Sequence, residues 1–247
     1  MTEIKRETTA FTLKIIAIVS MLLDHVGAVI IEKGMYKGGI GIETVRQLEQ
    51  IDFFLRAIGR ISFPIFCYLL VEGFFYTSNR KKHAIRLGVF ALLSEIPFDL
   101  AVNEKILEFQ VHNNVMFTLL LGFLGIWLLE YWKQKDLPAL VLLCGNVAVV
   151  TGLYLLADWI RCDYGGAGIL AILGIYVLHD KSPYAGYILA VVILAVLSNP
   201  LELVALFGLG ALVFYRGRQG RKLKYVSYIV YPLHLLAFTG VRVLMGI

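Results

Sequence analysis

The chain of 247 residues is 59% apolar and 17% charged, and its mean hydropathy of +0.76 exceeds what a water-soluble domain tolerates. The net charge of +5 does not indicate nucleic-acid binding, because the lysines and arginines lie in short polar stretches between long apolar blocks. Strand-period alternation is absent, which argues against a membrane barrel. We therefore predict an all-α protein, a polytopic transmembrane bundle that forms a single domain over residues 1–247.

The apolar blocks predict the membrane spans in chain order. A helix needs about 20 such residues to cross the bilayer core, so the chain has room for roughly eight to ten spans. The first block is too long for the apolar region of a signal peptide, so we interpret it as the first span. In the loop that follows it, we predict a helix over residues 43–51 that lies on the membrane surface. The nine predicted spans are 11–31, 53–77, 84–102, 114–131, 138–157, 165–178, 184–198, 201–215 and 225–244.

The distribution of positive charge predicts the orientation. If the amino terminus is cytoplasmic, the basic run 80–82 and the many basic residues of 216–224 are cytoplasmic too. The lysines and arginines of the opposite loops are fewer and are mixed with acidic residues. The positive-inside rule therefore favours a cytoplasmic amino terminus and an external carboxyl terminus, in the inner or plasma membrane.

Ionisable residues inside the predicted spans are numerous. Such groups are costly in a bilayer, and for that reason they usually have a function. Arg56 and Arg60 are four residues apart and therefore share a helix face, as do Glu95 and Asp99. Most of these groups fall in the outer half of the spans, so we expect one polar cavity that is open to the outside. The other members of the set are Asp24, His25, His112, Asn113, Asn114, Asp158, Arg161, Asp163, Tyr231 and His234.

Each of these groups also has a structural interpretation. Arg56 and Arg60 pair with Glu95 and Asp99 in one alternative, and Asp24 is the partner of an arginine in another. His83 and His179 fall in predicted cytoplasmic loops and are interpreted as solvated. The histidines lack the spacing of a zinc motif, so no metal is expected.

Six short motifs occur in order along the chain. They are LDHVG at 23–27, RAIGRISFPIF at 56–66, EGF at 72–74, SEIPFD at 94–99, NVMFTLLLG at 114–122 and YPLH at 231–234. Together they resemble the TraX family, which is named for the conjugal-transfer pilin acetylase. That family is itself distantly similar to the acyltransferase-3 and heparan-glucosaminide acetyltransferase families.

The resemblance implies a membrane acetyltransferase that moves an acetyl group from cytoplasmic acetyl-CoA to an extracytoplasmic amine. The acceptor is a peptide such as the amino terminus of pilin, a sugar or a lipid headgroup. The basic run 80–82 is the part of the chain best placed for the CoA phosphates.

The chemistry implied by the resemblance assigns a role to each polar residue. His25 is the predicted general base, because imidazole titrates near neutral pH, and His234 is the rival base. Asp24 either orients the His25 ring or holds an arginine. Arg60 is predicted to stabilise the oxyanion or to have a structural role. The predicted substrate-binding residues are Arg56, Glu95, Asp99, Asn114, Tyr231 and His234.

Two other classes of protein remain as alternatives. Charged residues at membrane depth and prolines inside helices also fit a transporter or channel for a small polar solute. The sequence shows no inverted repeat, which counts against that class. A structural scaffold would leave the many ionisable groups unexplained.

Overall fold

The computed structural model describes residues 8–36, 41–106, 111–221 and 225–246, and these are mostly helical. Within these ranges no β-strand occurs, and strand-like pairing is limited to two isolated bridges, Thr8 with Tyr215 and Asn113 with Cys162. This confirms the predicted all-α class.

The first half of the chain forms long helices with two π-helical segments. Helix α1 (Ala10–His25) continues through a π-helical segment (Val26–Ile31) into α2 (Glu32–Tyr36). The others are α3 (Ile42–Gly59), α4 (Ser62–Tyr76), α5 (Arg80–Phe98) with a second π-helical segment (Asp99–Asn103), and α6 (Val115–Lys133).

The second half begins with α7 (Ala139–Trp159), α8 (Gly165–Leu178) and α9 (Pro183–Leu197). A 3₁₀ helix (Pro200–Gly208) and one α-helical turn, α10 (Leu209–Leu212), precede the last helix, α11 (Val226–Met245).

Several of these helices are suited to a membrane. In the described part of the chain, five are long and apolar enough to cross one. Three shorter apolar helices lie in the second half. The protein is therefore a membrane protein, while the count of nine spans and the cytoplasmic amino terminus stay predictions. The five long helical runs are Ala10–Met35, Ile42–Tyr76 (α3 and α4 taken together), Val115–Lys133, Ala139–Trp159 and Val226–Met245.

The second predicted span, one helix over 53–77, is two helices in the structure. The chain is already helical at Ile42, and it breaks between Gly59 and Ser62. The helix predicted at 43–51 is the exposed first half of α3 and not a separate element. Pro64 falls in the first turn of α4, where a backbone N–H has no intrahelical partner, so the proline is tolerated there.

The eighth predicted span, 201–215, is not an α-helix over most of its length. It winds as a 3₁₀ helix from Pro200 to Gly208 and then makes one α-helical turn. The hydroxyl of Tyr187 on α9 donates a hydrogen bond of 2.8 Å to the carbonyl of Ala205, and Gly208 lies against the same hydroxyl. These are tertiary contacts, which an apolar sequence pattern does not encode.

Helix α8 lies at the centre of the core, and α7 lies at the periphery. Most of α8 is buried, and Gly168 lets it approach Thr118 and Phe63, where a larger side chain would overlap. In α7, by contrast, Ala157 is the one buried residue, and side chains such as Leu140 are exposed. The exposed apolar face of α7 is what a helix facing lipid presents.

His179 is not solvated as predicted, because it follows α8 directly and its side chain is only 14% exposed. Its Nε2 lies 2.7 Å from an oxygen of the buried Glu72, whose other oxygen accepts a hydrogen bond of 2.9 Å from Tyr215. The bond to Glu72 raises the pKa of His179 above its ordinary value. A buried carboxylate needs such partners. The prediction that His179 is solvated failed because the ring binds the carboxylate of Glu72.

We expect His179→Ala to lower the free energy of unfolding by roughly 1–3 kcal/mol, because Glu72 loses a partner while it stays buried. Since the pKa of His179 is raised, the charged pair stabilises the fold fully below the unfolded-state pKa of about 6.5. This stabilisation is lost as the pH rises through the folded-state pKa. The fall in the thermal midpoint in detergent should therefore be larger near pH 6 than near pH 9.

The control for this variant is Lys181→Ala, which changes an exposed residue of the same loop. An equal loss of stability for His179→Ala at both pH values would show that the charge on the imidazole does not contribute.

Candidate active site

A cavity of about 850 Å³ lies inside the bundle, enclosed by α1, α3, α4, α5, α6 and α11. One end, here called the basic end, is lined by Lys14, Arg86 and Arg221. The other, the ion-pair end, is lined by Asp24, Arg56, Arg60 and Asp163. The sequence analysis predicted a polar cavity, and the structure brings Asp24, His25, Arg56, Arg60 and Tyr231 together in its wall.

Asp24 joins the two arginines at the ion-pair end. One of its oxygens is 2.6 Å from Arg56, and the other is 3.6 Å from Arg60. Arg56 also contacts Glu32 at 3.2 Å, and Arg60 contacts Glu202 at 3.1 Å. The interpretation of Asp24 as an arginine partner is therefore confirmed.

The alternative that paired Arg56 and Arg60 with Glu95 and Asp99 is wrong. The acidic partners are Asp24, Glu32 and Glu202, which come from α1, α2 and the 3₁₀ helix. The four-residue spacing correctly indicated that each pair shares a face, but it carries no information about which helix that face meets.

Glycines bring α1 and α3 close enough for these contacts. A Cβ on Gly59 would overlap the side chain of Asp24, and a Cβ on Gly27 would reach Asp52 and Arg56. Small residues permit this close approach between helices in a membrane.

Glu202 was missed by the sequence analysis. Its side chain is fully buried, and one of its oxygens has no hydrogen-bond partner in the described part of the chain. The available signal was that Glu202 is the only carboxylate of the apolar stretch 201–215. An ionisable group in such a position usually has a partner or a function.

The tautomer of His25 follows from its hydrogen bond. Its Nδ1 lies 2.8 Å from the carbonyl oxygen of Met21, and a carbonyl can only accept, so Nδ1 carries the hydrogen. The unprotonated Nε2 is then the nitrogen that is able to accept a proton. His25 lines the cavity and is the last residue before the π-helical segment that starts at Val26, and such segments often occur at functional sites.

His234 and Tyr231 lie beside His25. The ring centroids of the two histidines are 4.7 Å apart, and Tyr231 is 6.3 Å from His25. His234 donates from Nδ1 to the carbonyl of Val230, at 2.8 Å, and its buried Nε2 has no partner within the described ranges. Tyr231 lines the cavity, whereas His234 lies behind that wall.

Glu95, Asp99 and Asn114 are buried where α5 meets α6, and none of them lines the cavity. The Asn114 amide donates to Glu95 and to the Ala91 carbonyl, while its oxygen caps α6 at Met116. Asp99 accepts a hydrogen bond of 2.7 Å from Asn103. The Asn114 contacts hold α5 and α6 together, whereas the Asp99 bond lies within one π-helical segment. A role of these residues in binding an amine stays a prediction.

His83 and Tyr164 line the cavity although the sequence analysis did not assign them to a site, and Asp163, a member of the predicted polar set, lines it too. His83, predicted to be solvated, faces the cavity with its ring 4.7 Å from Phe123, so that prediction is wrong. Asp163 and Tyr164 come from the loop between α7 and α8. This loop is held in place because the Asp163 N–H donates to the Asn113 carbonyl at 2.8 Å.

The basic run predicted to lie near the CoA phosphates is outside the cavity wall. Lys81 and Lys82 are exposed on the first turn of α5, and Arg80 lies 4.1 Å above the ring of Phe74. None of the three is among the residues that line the cavity. Within the described ranges, no group of three His, Cys, Asp or Glu residues is placed to hold a metal ion.

The fold and the site define a helical membrane protein that has buried ion pairs and three histidines, His25, His83 and His112, in the wall of an internal cavity. The chain belongs to the TraX family, since the family model described as TraX protein matches residues 10–242. It is also 26% identical to the probable fimbrial assembly protein FimC, serogroup H1, of Dichelobacter nodosus. That alignment covers 96% of this chain and 97% of the relative. No solved structure matches the chain.

Proposed function

We propose that this protein is an acetyltransferase of the inner membrane that transfers the acetyl group of cytoplasmic acetyl-CoA to an amine on the other side. The observation that carries this proposal is a single cavity that contains an available imidazole, His25, between a basic end and an ion-pair end. In the orientation favoured by the positive-inside rule, the basic end faces the cytoplasm.

The chemical steps need a base, and His25 is suited to that role. The unprotonated amine of the acceptor attacks the carbonyl carbon of the thioester, while Nε2 of His25 takes the amine proton. The tetrahedral intermediate collapses by breaking the carbon–sulfur bond, and the departing thiolate takes the proton from His25. The products are the acetylated amine and free CoA, and His25 returns to its starting state.

The oxyanion of the intermediate needs a donor, and Arg60 is our candidate. Arg60 lines the cavity, and the buried Nε of its guanidinium has no partner in the described part of the chain. Asp24 and Glu202 hold the other nitrogens of the group, so that Nε is held in a defined position. A preorganised donor of this kind lowers the free energy of the transition state.

The charge of the ion-pair end supports an amine as the acceptor. Two carboxylates, Asp24 and Asp163, line the cavity at this end, while Glu32 and Glu202 contact the arginines. A carboxylate in the cavity wall attracts a protonated amine and repels an anion.

The identity of the acceptor is supported by the relative. The relative is named as a probable fimbrial assembly protein. A peptide amino terminus, such as that of pilin, is therefore our first choice of acceptor. A sugar or lipid amine is the other choice.

The proposal is tested with the purified protein in liposomes. With acetyl-CoA on the side of the basic end and a pilin amino-terminal peptide on the other side, mass spectrometry should show one added acetyl group and an equal amount of CoA. A peptide with a blocked amino terminus and no lysine is the control and should stay unmodified.

A transporter or channel is the alternative class, because a cavity that reaches towards both ends of a bundle also fits a path for a small solute. Movement of a solute across the same liposomes without any transfer to peptide, sugar or lipid amines would contradict the acetyltransferase proposal.

A further inference from the structure

The basic end of the cavity carries three cations that the proposed chemistry at His25 does not use. Lys14 comes from α1, Arg86 from α5 and Arg221 from the loop before α11. Within the described ranges none of the three forms an ion pair, and the Nε of Arg86 is buried without a partner. The carboxylates that line the cavity, Asp24 and Asp163, belong to the ion-pair end. Among the described residues that line the cavity, positive charge therefore accumulates here without a counter-charge.

The backbone holds the loop that carries Arg221 in place. The carbonyls of Arg218 and Gln219 accept hydrogen bonds of 2.9 and 3.2 Å from the N–H groups of Ala10 and Phe11 at the start of α1. These N–H groups have no intrahelical partner, so the contact satisfies them. The contact also fixes Arg221 next to the helix that carries Lys14. The basic end is therefore assembled from three separate parts of the chain.

We propose that the basic end binds the phosphates of the nucleotide part of the acyl donor. This inference rests on the proposed function. The pyrophosphate of CoA carries two negative charges, one on each phosphorus, and arginine and lysine bind such groups through charge-assisted hydrogen bonds. Hydroxyl groups that donate to phosphate oxygens lie in the same wall, on Thr77, Ser78 and Tyr228.

The length of the donor fits the distance to His25. Lys14 and His25 are eleven positions apart on α1, which is roughly three turns, so they share a face and are about 16 Å apart along the axis. In CoA about 13 bonds separate the thioester sulfur from the nearer phosphorus. At three bonds per residue this equals roughly four to five extended residues, or about 15 Å. A donor whose phosphates lie at Lys14 and Arg86 thus places its thioester next to His25.

The wall between these two points is suited to the intervening arm of the donor. It consists mainly of Met21, Phe66, Leu69, Leu70 and Leu87, and Gly73 leaves room beside them. An apolar channel with a charged group at one end orients a ligand that has the same distribution of charge.

The test compares two donors that differ in their phosphates. Arg86→Gln and Lys14→Gln should each raise the KM for acetyl-CoA by about tenfold to a hundredfold, the effect of losing one charged hydrogen bond. The same variants should leave transfer from S-acetylpantetheine, which has no phosphate, unchanged. Arg86→Lys keeps the charge and should recover most of the affinity for acetyl-CoA. The matched controls are Lys81→Gln and Lys82→Gln, which change exposed residues of the same helix outside the cavity.

The outcomes separate this inference from the proposed function. An equal loss of transfer from both donors, or no change with acetyl-CoA, would overturn the phosphate site. If the wild-type protein transfers acetyl from neither donor, equilibrium dialysis with radiolabelled CoA tests whether the phosphate site exists. Binding by wild type that Arg86→Gln abolishes would support the phosphate site while the proposed function fails. The absence of CoA binding by wild type would overturn both.

Discussion

Replacement of His25 by glutamine is expected to reduce acetyl transfer by at least two orders of magnitude while the protein still folds. General-base catalysis contributes roughly 10²–10⁴-fold, and glutamine retains hydrogen bonding but does not accept the proton. His25→Asn is the matched variant, because its amide is able to replace the Nδ1 donor to the Met21 carbonyl. Both variants should be monodisperse in detergent and nearly inactive in single-turnover measurements with saturating donor.

The controls for this experiment have to avoid the other histidines. His83 and His112 line the cavity, and His179 binds Glu72, so none of them is neutral. Lys82→Ala, on an exposed face of α5, should retain wild-type turnover.

The rival base is His234, whose ring lies 4.7 Å from that of His25 and whose Nε2 is buried. Near-normal turnover of His25→Gln together with an inactive His234→Gln would move the role of the base to His234. Loss of activity in both variants would instead indicate that the two rings act together.

The second large effect is expected at the buried ion pair of Arg60 and Glu202. Arg60→Met should lower the free energy of unfolding by about 3–5 kcal/mol, because it leaves the fully buried Glu202 without its cation. The double variant Arg60→Met/Glu202→Met should recover most of this loss, since replacing a whole buried pair with apolar side chains is often neutral. Thermal unfolding in detergent measures both effects. Arg46→Met, on the exposed half of α3, is the control.

The double variant also separates the two roles of Arg60. If Arg60 stabilises the oxyanion, the double variant should be stable but should remain about 10²–10³-fold less active than wild type. Wild-type turnover in that stable double variant would show that Arg60 has a structural role alone, and its assignment as a catalytic residue would then be wrong.

Much of the fold is predictable because the length of an apolar run is a local property. Most of the observed helices begin and end within a few residues of the predicted spans, as α6 (Val115–Lys133) does for 114–131. Local chemistry supports these boundaries, since the side chains of Asn79, Asn114 and Ser182 cap the starts of α5, α6 and α9. The largest failures, at Arg60–Ile61 and in the 3₁₀ helix, lie where the backbone departs from the α-helical pattern of hydrogen bonds and side chains contact other helices.

The candidate site could be predicted in its composition but not in its pairing. The polar residues Asp24, His25 and Arg60 were evident from the sequence, because an ionisable group inside an apolar run is conspicuous. Their partners were not, as the failed pairing of Arg60 with Glu95 or Asp99 shows. The buried carboxylate that does bind Arg60 is Glu202, which is 142 positions away in the chain.

The sequence by itself determined that this protein is a bundle of apolar helices of the TraX family with ionisable groups inside its apolar segments. Only the tertiary structure decided that Lys14 and His25 face the same cavity, that Asp24 holds both arginines and that His179 is buried against Glu72. The physical reason is that hydropathy specifies which segments leave water. The rotation and contact distance of each helix depend instead on close-packed side chains from remote parts of the chain, such as Asp24 against Gly59.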